Sequence, residues 1–287
     1  MASITSLLPS SSWDVHVHVF DPVKHPYIPR TRYTPPARSV GDLLRETHTH
    51  NYVIVMSGPE GTNTSHTEEA MAELQAKGHN ACGVVVMDTE QMTPTELQRL
   101  DRAGVRSVRF NTQRTGTSLE ALLEQTAGKI AAAGLGWSIE AAIFEVALWQ
   151  SLIPTMRKLH RQFGTVFVAD HIFAAQPEEL GSTALSQVLD LVDEGVVVVK
   201  ISGLTKYNRN PEAMMPIVKE ILKKGDGRGG VFASDWPHVF SHPGATDLME
   251  VDIPAHLTLL KAVCDEIGNG AWEKLMRDNA VALYAMN

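Results

Sequence analysis

The chain has 287 residues, of which 44% are hydrophobic and 20% are charged, and this balance excludes disordered and fibrous classes of protein. Its net charge of −8 disfavours a surface that binds nucleic acid or an anionic membrane, because such a surface needs clustered Lys and Arg. The length is close to the roughly 250 residues of an eight-stranded α/β barrel, so we expect one domain that spans residues 1–287.

The opening residues Met1–Pro9 contain neither a basic segment nor a continuous apolar core, so they do not predict a signal peptide. We expect residues 1–12 to be flexible. No stretch approaches the ~20 apolar residues of a membrane helix. Only two cysteines, Cys82 and Cys264, are present, which is too few for a disulfide framework. We therefore predict a cytoplasmic protein with two reduced, buried thiols.

The first predicted strand carries two histidines. Residues 13–20 read Trp-Asp-Val-His-Val-His-Val-Phe. Because side chains alternate along a strand, Asp14, His16 and His18 share one side and the three valines share the other. In a barrel the valine side can pack against helices while the histidine side faces the interior. This strand therefore predicts an enzyme site that contains two imidazoles.

Seven further β-rich apolar runs follow, and helical patterns separate most of them. The predicted strands cover residues 51–58, 80–88, 105–111, 137–143, 165–172, 196–203 and 231–238. The helical patterns cover Thr64–Lys77, Thr93–Ala103, Ser118–Ala133, Glu145–Gln162, Thr183–Glu194 and Pro211–Lys224, with two more near residues 253–267 and 270–285. Residues 21–40 contain five prolines and predict an extended loop beside the site. Together the elements predict a (β/α)8 TIM barrel with extra C-terminal helices.

Charged and imidazole side chains stand near the ends of four later predicted strands. Arg109 and His171 lie near the ends of the fourth and sixth strands, and Lys200 follows a run of four valines in the seventh. Asp235 comes directly after the apolar part of the eighth strand. Because the carboxyl ends of all eight strands meet at one mouth of such a barrel, we expect these side chains to face the two histidines.

Five segments form a series of motifs in chain order. They are Asp-Val-His-Val-His at residues 14–18, Val-Arg-Phe-Asn at 108–111, Ala-Asp-His at 169–171, Lys-Ile-Ser-Gly at 200–203 and Ser-Asp-Trp-Pro-His at 234–238. This series resembles the amidohydrolase superfamily, in particular the branch of 2-pyrone-4,6-dicarboxylate hydrolases and related lactonases. The resemblance spans nearly the whole chain and implies a TIM barrel that hydrolyses esters or lactones. Relatives often have a glycine-containing turn after the sixth strand, where this chain has Ile172 and Phe173, so we expect a reshaped pocket.

Hydrolysis of an ester or lactone needs a base that deprotonates water and donors that stabilise charge on the carbonyl oxygen. Asp235 suits the role of base, and we expect its partial burial in the barrel mouth to raise its basicity. The three histidines, His16, His18 and His171, can stabilise the oxyanion through N–H groups or hold a divalent metal ion that does so.

The sequence leaves metal dependence open. His16, His18, His171 and Asp235 form a sufficient ligand set for one zinc ion. The resemblance to the pyrone hydrolases and lactonases implies, however, a site that can work without metal. We therefore favour a site with no cofactor and keep mononuclear zinc as the alternative.

A small anionic substrate is the expected partner of these residues. Arg109 can grip a carboxylate as a planar fork. Lys200 should be either a cation of the pocket or part of an internal ion pair, because burial without a partner would be costly. The resemblance implies a second substrate-binding arginine, which we match to Arg114. The remaining candidates for contacts with substrate oxygens are Ser57, Tyr27, Tyr207, Arg209 and His238.

The leading prediction is a hydrolase that opens a lactone or ester of a small carboxylated substrate, either a pyrone or a compound derived from an aromatic ring. The alternative is a zinc-dependent decarboxylase that resembles the aminocarboxymuconate semialdehyde enzymes. A third hypothesis is a catalytically silent barrel that binds a small acid or a partner protein. The sequence names neither the substrate nor the oligomeric state, and a homo-oligomer is compatible with it.

Overall fold

The computed structural model of the protein describes residues 6–111, 118–206, 208 and 210–284, with the backbone alone for Asn111. Eight parallel strands form one sheet in which neighbours in space are also neighbours in sequence. The strands are β1 (Trp13–Val17), β2 (Asn51–Val55), β3 (Ala81–Val85), β4 (Val105–Asn111), β5 (Ser138–Ala142), β6 (Phe167–Ala169), β7 (Val197–Ile201) and β8 (Gly230–Phe232).

The residues that follow β8 return to β1 and nearly close the barrel. The Asp235 N–H donates to His16 O over 3.0 Å, and the His18 N–H donates to Trp236 O over 2.8 Å. The sheet order and this contact confirm the predicted TIM barrel.

Helices connect the strands and surround them. They are α1 (Val40–Glu46), α2 (Ser65–Ala76), α3 (Pro94–Ala103), α4 (Leu119–Ala132), α5 (Val146–Ser151), α6 (Ile153–Phe163), α7 (Thr183–Asp193), α8 (Met215–Lys223), α9 (Ile253–Ile267), α10 (Ala271–Glu273) and α11 (Asn279–Tyr284). Side-chain caps begin several of them, such as Thr93 before α3 and Ser182 before α7. Within the described residues, none of the helices is both long and apolar enough to span a bilayer.

All eight predicted strands are confirmed, although most are shorter than predicted because their last residues already belong to the loops of the barrel mouth. Three expectations about helices were wrong or incomplete. The single helix predicted over Glu145–Gln162 is two helices that meet at Leu152, because Pro154 lies in the first turn of the second helix and has no N–H to continue the first one. The helix predicted near 270–285 contains a π-helical turn over Lys274–Asp278. Helix α1 was missed, although Ser39 and Asp42 form a capping box at its start.

The core has two apolar parts. The larger cluster joins strand side chains to the surrounding helices, and the smaller one joins side chains of β1, β2, β3 and β8 to Ala280 and Tyr284 of α11. Near the N-terminus, the Trp272 indole N–H donates to Leu7 O over 2.7 Å. Cys82 and Cys264 are buried free thiols, as predicted.

Candidate active site

The four side chains predicted to be catalytic come together at the carboxyl end of the barrel. The Nε2 atoms of His16 and His18 are 3.2 Å apart, and each lies 3.6 Å from Asp235 Oδ1. The His171 ring lies beside His16, with ring centroids 5.1 Å apart. All four residues are buried. The spatial convergence that the strand-end pattern predicts is therefore present, and we call these four residues the catalytic cluster.

The two oxygens of Asp235 have different surroundings. Oδ2 accepts a hydrogen bond from Lys206 Nζ over 2.8 Å. Oδ1 faces His16 and His18 and has no hydrogen-bond partner among the described residues. Asp235 also has a left-handed backbone, with φ of 65°.

The expectation that burial would make Asp235 more basic was wrong. Burial does favour the neutral carboxyl group, but the positive charge of Lys206, together with contacts from the neighbouring imidazole rings, outweighs it and lowers the pKa of Asp235 well below its usual value. The difference comes from Lys206, whose contact with Asp235 the sequence does not reveal. Asp235 is therefore an ionised carboxylate at neutral pH.

Hydrogen bonds to the outer ring nitrogens orient two of the histidines. His18 Nδ1 lies 2.6 Å from Val55 O, which can only accept, so Nδ1 donates and Nε2 faces the cluster. His171 Nδ1 lies 2.8 Å from Ser202 Oγ. Burial lowers the pKa of His171 to about 4, and burial followed by the charge of Lys200 lowers the pKa of His16 well below its usual value. Both of these rings are neutral at pH 7.

His171 belongs to an unusual left-handed turn that follows β6. Its φ is 52°, and Ile172, Phe173 and Ala174 also have positive φ values between 53° and 60°. Phe173 packs edge-on against Trp149, with ring centroids 5.4 Å apart. Ile172 and Phe173 are both part of the hydrophobic core. The bulk expected to reshape the pocket is thus accommodated inside the protein, where it supports the turn that presents His171.

Arg109 forms a buried ion pair. Its Nε donates to Asp170 Oδ2 over 2.8 Å, and its Nη1 donates to Met56 O over 3.3 Å. Burial opposes the charge on Arg109, but Asp170 outweighs this effect and raises its pKa. The guanidinium group is therefore fixed at the end of β4 by Asp170, and 7% of the residue remains exposed.

Lys200 lies beneath the catalytic cluster and is completely buried. Its Nζ donates to Glu140 Oε2 over 2.5 Å and lies 3.5 Å from Asp170 Oδ1 and 3.2 Å from His16 Nδ1. The Tyr284 hydroxyl donates to the other oxygen of Glu140 over 2.7 Å. Lys200 was expected to be either a cation of the pocket or part of an internal ion pair, and the structure shows the internal ion pair. As a correction, it is not a cation exposed to the pocket, because it is completely buried and paired with Glu140.

The other predicted substrate contacts have the following positions. The Ser57 hydroxyl is buried and donates to Glu60 Oε2, and the half-buried Tyr27 hydroxyl donates to Pro35 O. His238 is buried, its N–H donates to Asp235 O over 2.8 Å, and burial lowers its pKa to about 4. Arg114, Tyr207 and Arg209 lie outside the described residues.

Sequence reasoning missed four residues of the site: Asp170, Glu140, Lys206 and Tyr33. Glu140 carried a usable signal, because it is the one charged residue in the apolar run 137–143 and a buried charge needs a partner. Lys206 lies in the loop after β7, where mouth residues are expected. Tyr33 comes from the proline-rich loop, and burial raises its pKa to about 12, with Arg109 and Asp235 near enough to affect it.

The catalytic cluster has the composition of a site for one divalent cation. His16, His171 and Asp235 each offer a ligand atom, and these atoms lie within 4.8 Å of one another. Asp235 Oδ1, which has no hydrogen-bond partner among the described residues, faces the same space. Imidazole and carboxylate are suitable ligands for zinc. The residues present therefore fit a single metal ion.

Comparisons with known proteins agree with the fold and with the family resemblance. A family model described as amidohydrolase matches residues 13–286. The 2-pyrone-4,6-dicarboxylate hydrolase of Comamonas testosteroni is 26% identical over an alignment of 299 residues, which covers 96% of this chain and 91% of the relative. The 4-sulfomuconolactone hydrolase of Hydrogenophaga intermedia is 24% identical over 253 residues, with 81% and 76% covered.

A solved structure has the same architecture. A protein of Acinetobacter baumannii, described as a probable 2-pyrone-4,6-dicarboxylic acid hydrolase with citric acid bound, is similar with a TM-score of 0.77 and 18% sequence identity. The similarity covers 96% of this chain and 100% of that one.

Proposed function

The chain belongs to the amidohydrolase family, and from that premise we propose that it hydrolyses the ring ester of a small anionic lactone, with Asp235 as the base that activates water. Two relatives in the family are named as hydrolases of a pyrone dicarboxylate and of a sulfomuconolactone, which are both anionic lactones. These names support lactone hydrolysis as the reaction class for this chain.

The main observation that supports the proposal is the ionisation and the surroundings of the Asp235 carboxylate. Its Oδ1 is buried, ionised and without a hydrogen-bond partner among the described residues, while Lys206 holds Oδ2. A water molecule beside Oδ1 would find a proton acceptor within reach and imidazole rings around it. A ring N–H group of the catalytic cluster would donate to the carbonyl oxygen as negative charge develops there.

The negative groups of the substrate would meet cations at the rim of the site. Arg109 and Lys206 are the two described cations that contact the acidic residues of the site and keep some exposure. Ser57, Tyr27 and His238 complete the proposed set of contacts within the described part of the chain. Arg114, Tyr207 and Arg209 stay predictions from the sequence. Lys200 is left out of this set because it is completely buried.

Metal dependence distinguishes the proposed hydrolase from a second candidate function. If a divalent cation binds, His16, His18, His171 and Asp235 would hold it, and it would supply Lewis acidity and a more acidic water. The fit of the cluster to one cation supports a second candidate function, a zinc-dependent decarboxylase of an anionic substrate. We favour hydrolysis over decarboxylation because the two named relatives are hydrolases. We propose that the reaction needs no cofactor because Asp235 can act as a base by itself.

We expect Asp235→Asn to lower kcat by about 10²–10⁴-fold, because the amide cannot accept the proton of water. The variant and the wild type would be incubated with lactones, pyrones and carboxylated aromatic acids while ring opening is followed by absorbance and carbon dioxide is measured. Asp193→Asn is the matched control, since Asp193 is an exposed partner of Lys224. Retention of lactone hydrolysis by Asp235→Asn would contradict the proposal. Release of carbon dioxide that depends on stoichiometric zinc would favour the decarboxylase.

A further inference from the structure

A buried lysine touches the side of His16 that faces away from the cavity. Lys200 Nζ lies 3.2 Å from His16 Nδ1 in hydrogen-bond geometry, and Glu140 holds the ammonium group in place from the other side. An ammonium group has donors and no acceptor. The ring nitrogen that it contacts must therefore accept, which means that His16 Nδ1 has no proton.

Asp170 is the competing partner for the same ring nitrogen. Its Oδ1 lies 3.3 Å from His16 Nδ1, but the contact does not have hydrogen-bond geometry. Among the described residues, Asp170 Oδ1 has no hydrogen-bond partner at all. Its other oxygen is taken by Arg109. The geometry thus favours Lys200 over Asp170 as the partner of His16 Nδ1.

A second contact fits the same tautomer. His18 donates its Nδ1 proton to Val55 O, and with the ring proton at that position its Nε2 atom is an acceptor. This acceptor lies 3.2 Å from His16 Nε2. Two lone pairs at that distance would repel each other, whereas an Nε2–H of His16 would donate to His18. One tautomer of His16, with the proton on Nε2, therefore satisfies the contacts of both ring nitrogens.

We propose that Lys200 is a positioning residue that fixes His16 as the Nε2–H tautomer, so that His16 presents a donor instead of a lone pair to the catalytic cluster. A metal-binding histidine usually donates its other N–H to a carboxylate. Asp170 is near enough to be that carboxylate, but Lys200 occupies the position of the partner. Lys200 therefore lowers the affinity of the cluster for a divalent cation. The catalytic consequence, an Nε2 proton that a substrate oxygen would accept in place of His18, rests on the proposed hydrolase, whereas the tautomer and the metal affinity do not.

The variant that tests this inference removes the ion pair as a unit. Lys200→Met alone would leave Glu140 buried without its partner, which is costly. We therefore combine Lys200→Met with Glu140→Gln, because the amide oxygen of the substituted side chain can still accept from the Tyr284 hydroxyl. The matched control is Lys158→Met with Glu124→Gln, which removes an exposed ion pair with a 2.9 Å contact.

The first readout is the protonation of each nitrogen of His16, measured by side-chain ¹⁵N chemical shifts in the metal-free protein at pH 7. The signals are assigned by their loss in His16→Gln. In the wild type and in the control we expect the proton on Nε2, and in the Lys200/Glu140 double variant we expect it on Nδ1, donated to Asp170. A proton on Nδ1 in the wild type would overturn the inference, and this measurement needs no variant of Lys200.

The second readout is zinc affinity, measured by competition with a chromophoric chelator. The double variant should bind zinc about 10–100-fold more tightly than the wild type, which is the usual effect of a carboxylate behind a ligating imidazole. The surface control should bind zinc like the wild type. Equal affinity in the double variant and the wild type would overturn the inference.

Activity separates this inference from the proposed function. If the protein opens a lactone, the double variant in the presence of a chelator should lose about 10²-fold in kcat, because it lacks one preorganised donor. If no lactone is opened by the wild type, the proposed function fails, while the tautomer and zinc results still decide the role of Lys200. Unchanged kcat in a folded double variant of an active hydrolase would overturn the catalytic consequence.

Discussion

At the scale of single residues, the proposed role of Asp235 as a general base places two opposing requirements on its side chain. A general base should be ionised at working pH, and it should also keep enough basicity to accept a proton. Lys206 serves the first requirement, because its ammonium group contacts Oδ2 and favours the carboxylate. The same charge weakens Asp235 as a base. Orientation compensates for this loss, since the contact with Lys206 leaves Oδ1 directed at the imidazoles.

Replacement of Lys206 should therefore change the pH dependence of catalysis. Loss of an opposite charge raises the pKa of a carboxyl group, so Lys206→Met should move the acidic limb of kcat/KM to higher pH by about 1–3 units. Lys206→Arg retains the charge and should keep the limb near its wild-type position. Lys224→Met removes a surface ion pair of the same chemistry and serves as the second control. An acidic limb that stays in place in Lys206→Met would show that Lys206 does not set the ionisation of Asp235.

At the scale of elements, the strands were predictable and the turn after β6 was not. Apolar runs between turn signals located all eight strands, because strand side chains must be buried on both sides of the sheet in such a barrel. The left-handed turn contains no glycine, although left-handed backbone costs roughly 1–2 kcal/mol for other residues. Packing of Phe173 against Trp149 supports it, and no local sequence rule contains that tertiary contact.

Gly203 offers a direct test of how this turn positions His171. A Cβ atom at residue 203 would lie 3.2 Å from His171 Cβ and 3.3 Å from its Cγ, at a backbone φ of 65°. Gly203→Ala should therefore lose about 1–2 kcal/mol of stability from its backbone and also displace the ring. Small displacements of a catalytic group can cost up to about 10²-fold in rate, so we expect a clear loss in kcat.

Gly181 provides the control for Gly203. It also has a positive φ, 81°, but nothing lies within 4 Å of its added Cβ. Gly181→Ala should lose similar stability in urea unfolding and keep full activity. Equal kcat values for the two variants would contradict the role assigned to the contact between Gly203 and His171.

At the scale of the whole molecule, the sequence predicted which residues meet at the candidate site but not which charged residues form ion pairs there. Residues at the carboxyl ends of parallel strands must meet at one mouth, so the convergence of His16, His18, His171 and Asp235 followed from their positions. Which charges pair with each other depends on how side chains cross the barrel. That is why Lys200 was not assigned to Glu140, 60 positions away in the sequence, and why Lys206 was missed as the partner of Asp235.

Burial of several neutral imidazoles should make the whole protein sensitive to acid. Burial lowers the pKa values of His171 and His238 to about 4, whereas both should be about 6.5 in the unfolded chain. Between these values the unfolded chain binds more protons, so the free energy of unfolding falls as the pH falls. Each of the two imidazoles should cost about 2 kcal/mol between pH 7 and pH 5. Burial lowers the pKa values of His16 and His256 as well, which adds in the same direction.

Asp14 opposes this trend and allows it to be tested. Burial raises the pKa of Asp14 to about 6, so its protonation below pH 6 stabilises the folded state by about 1 kcal/mol at pH 5 relative to pH 7. The imidazoles outnumber it, and urea midpoints should fall between pH 7 and pH 5. In Asp14→Asn the stabilising contribution is lost while the side-chain oxygen can still accept from the Ser234 N–H. Between pH 7 and pH 5 the unfolding free energy of Asp14→Asn should fall by about 1 kcal/mol more than that of the wild type. A smaller fall than in the wild type would show that protonation of Asp14 does not stabilise the folded state.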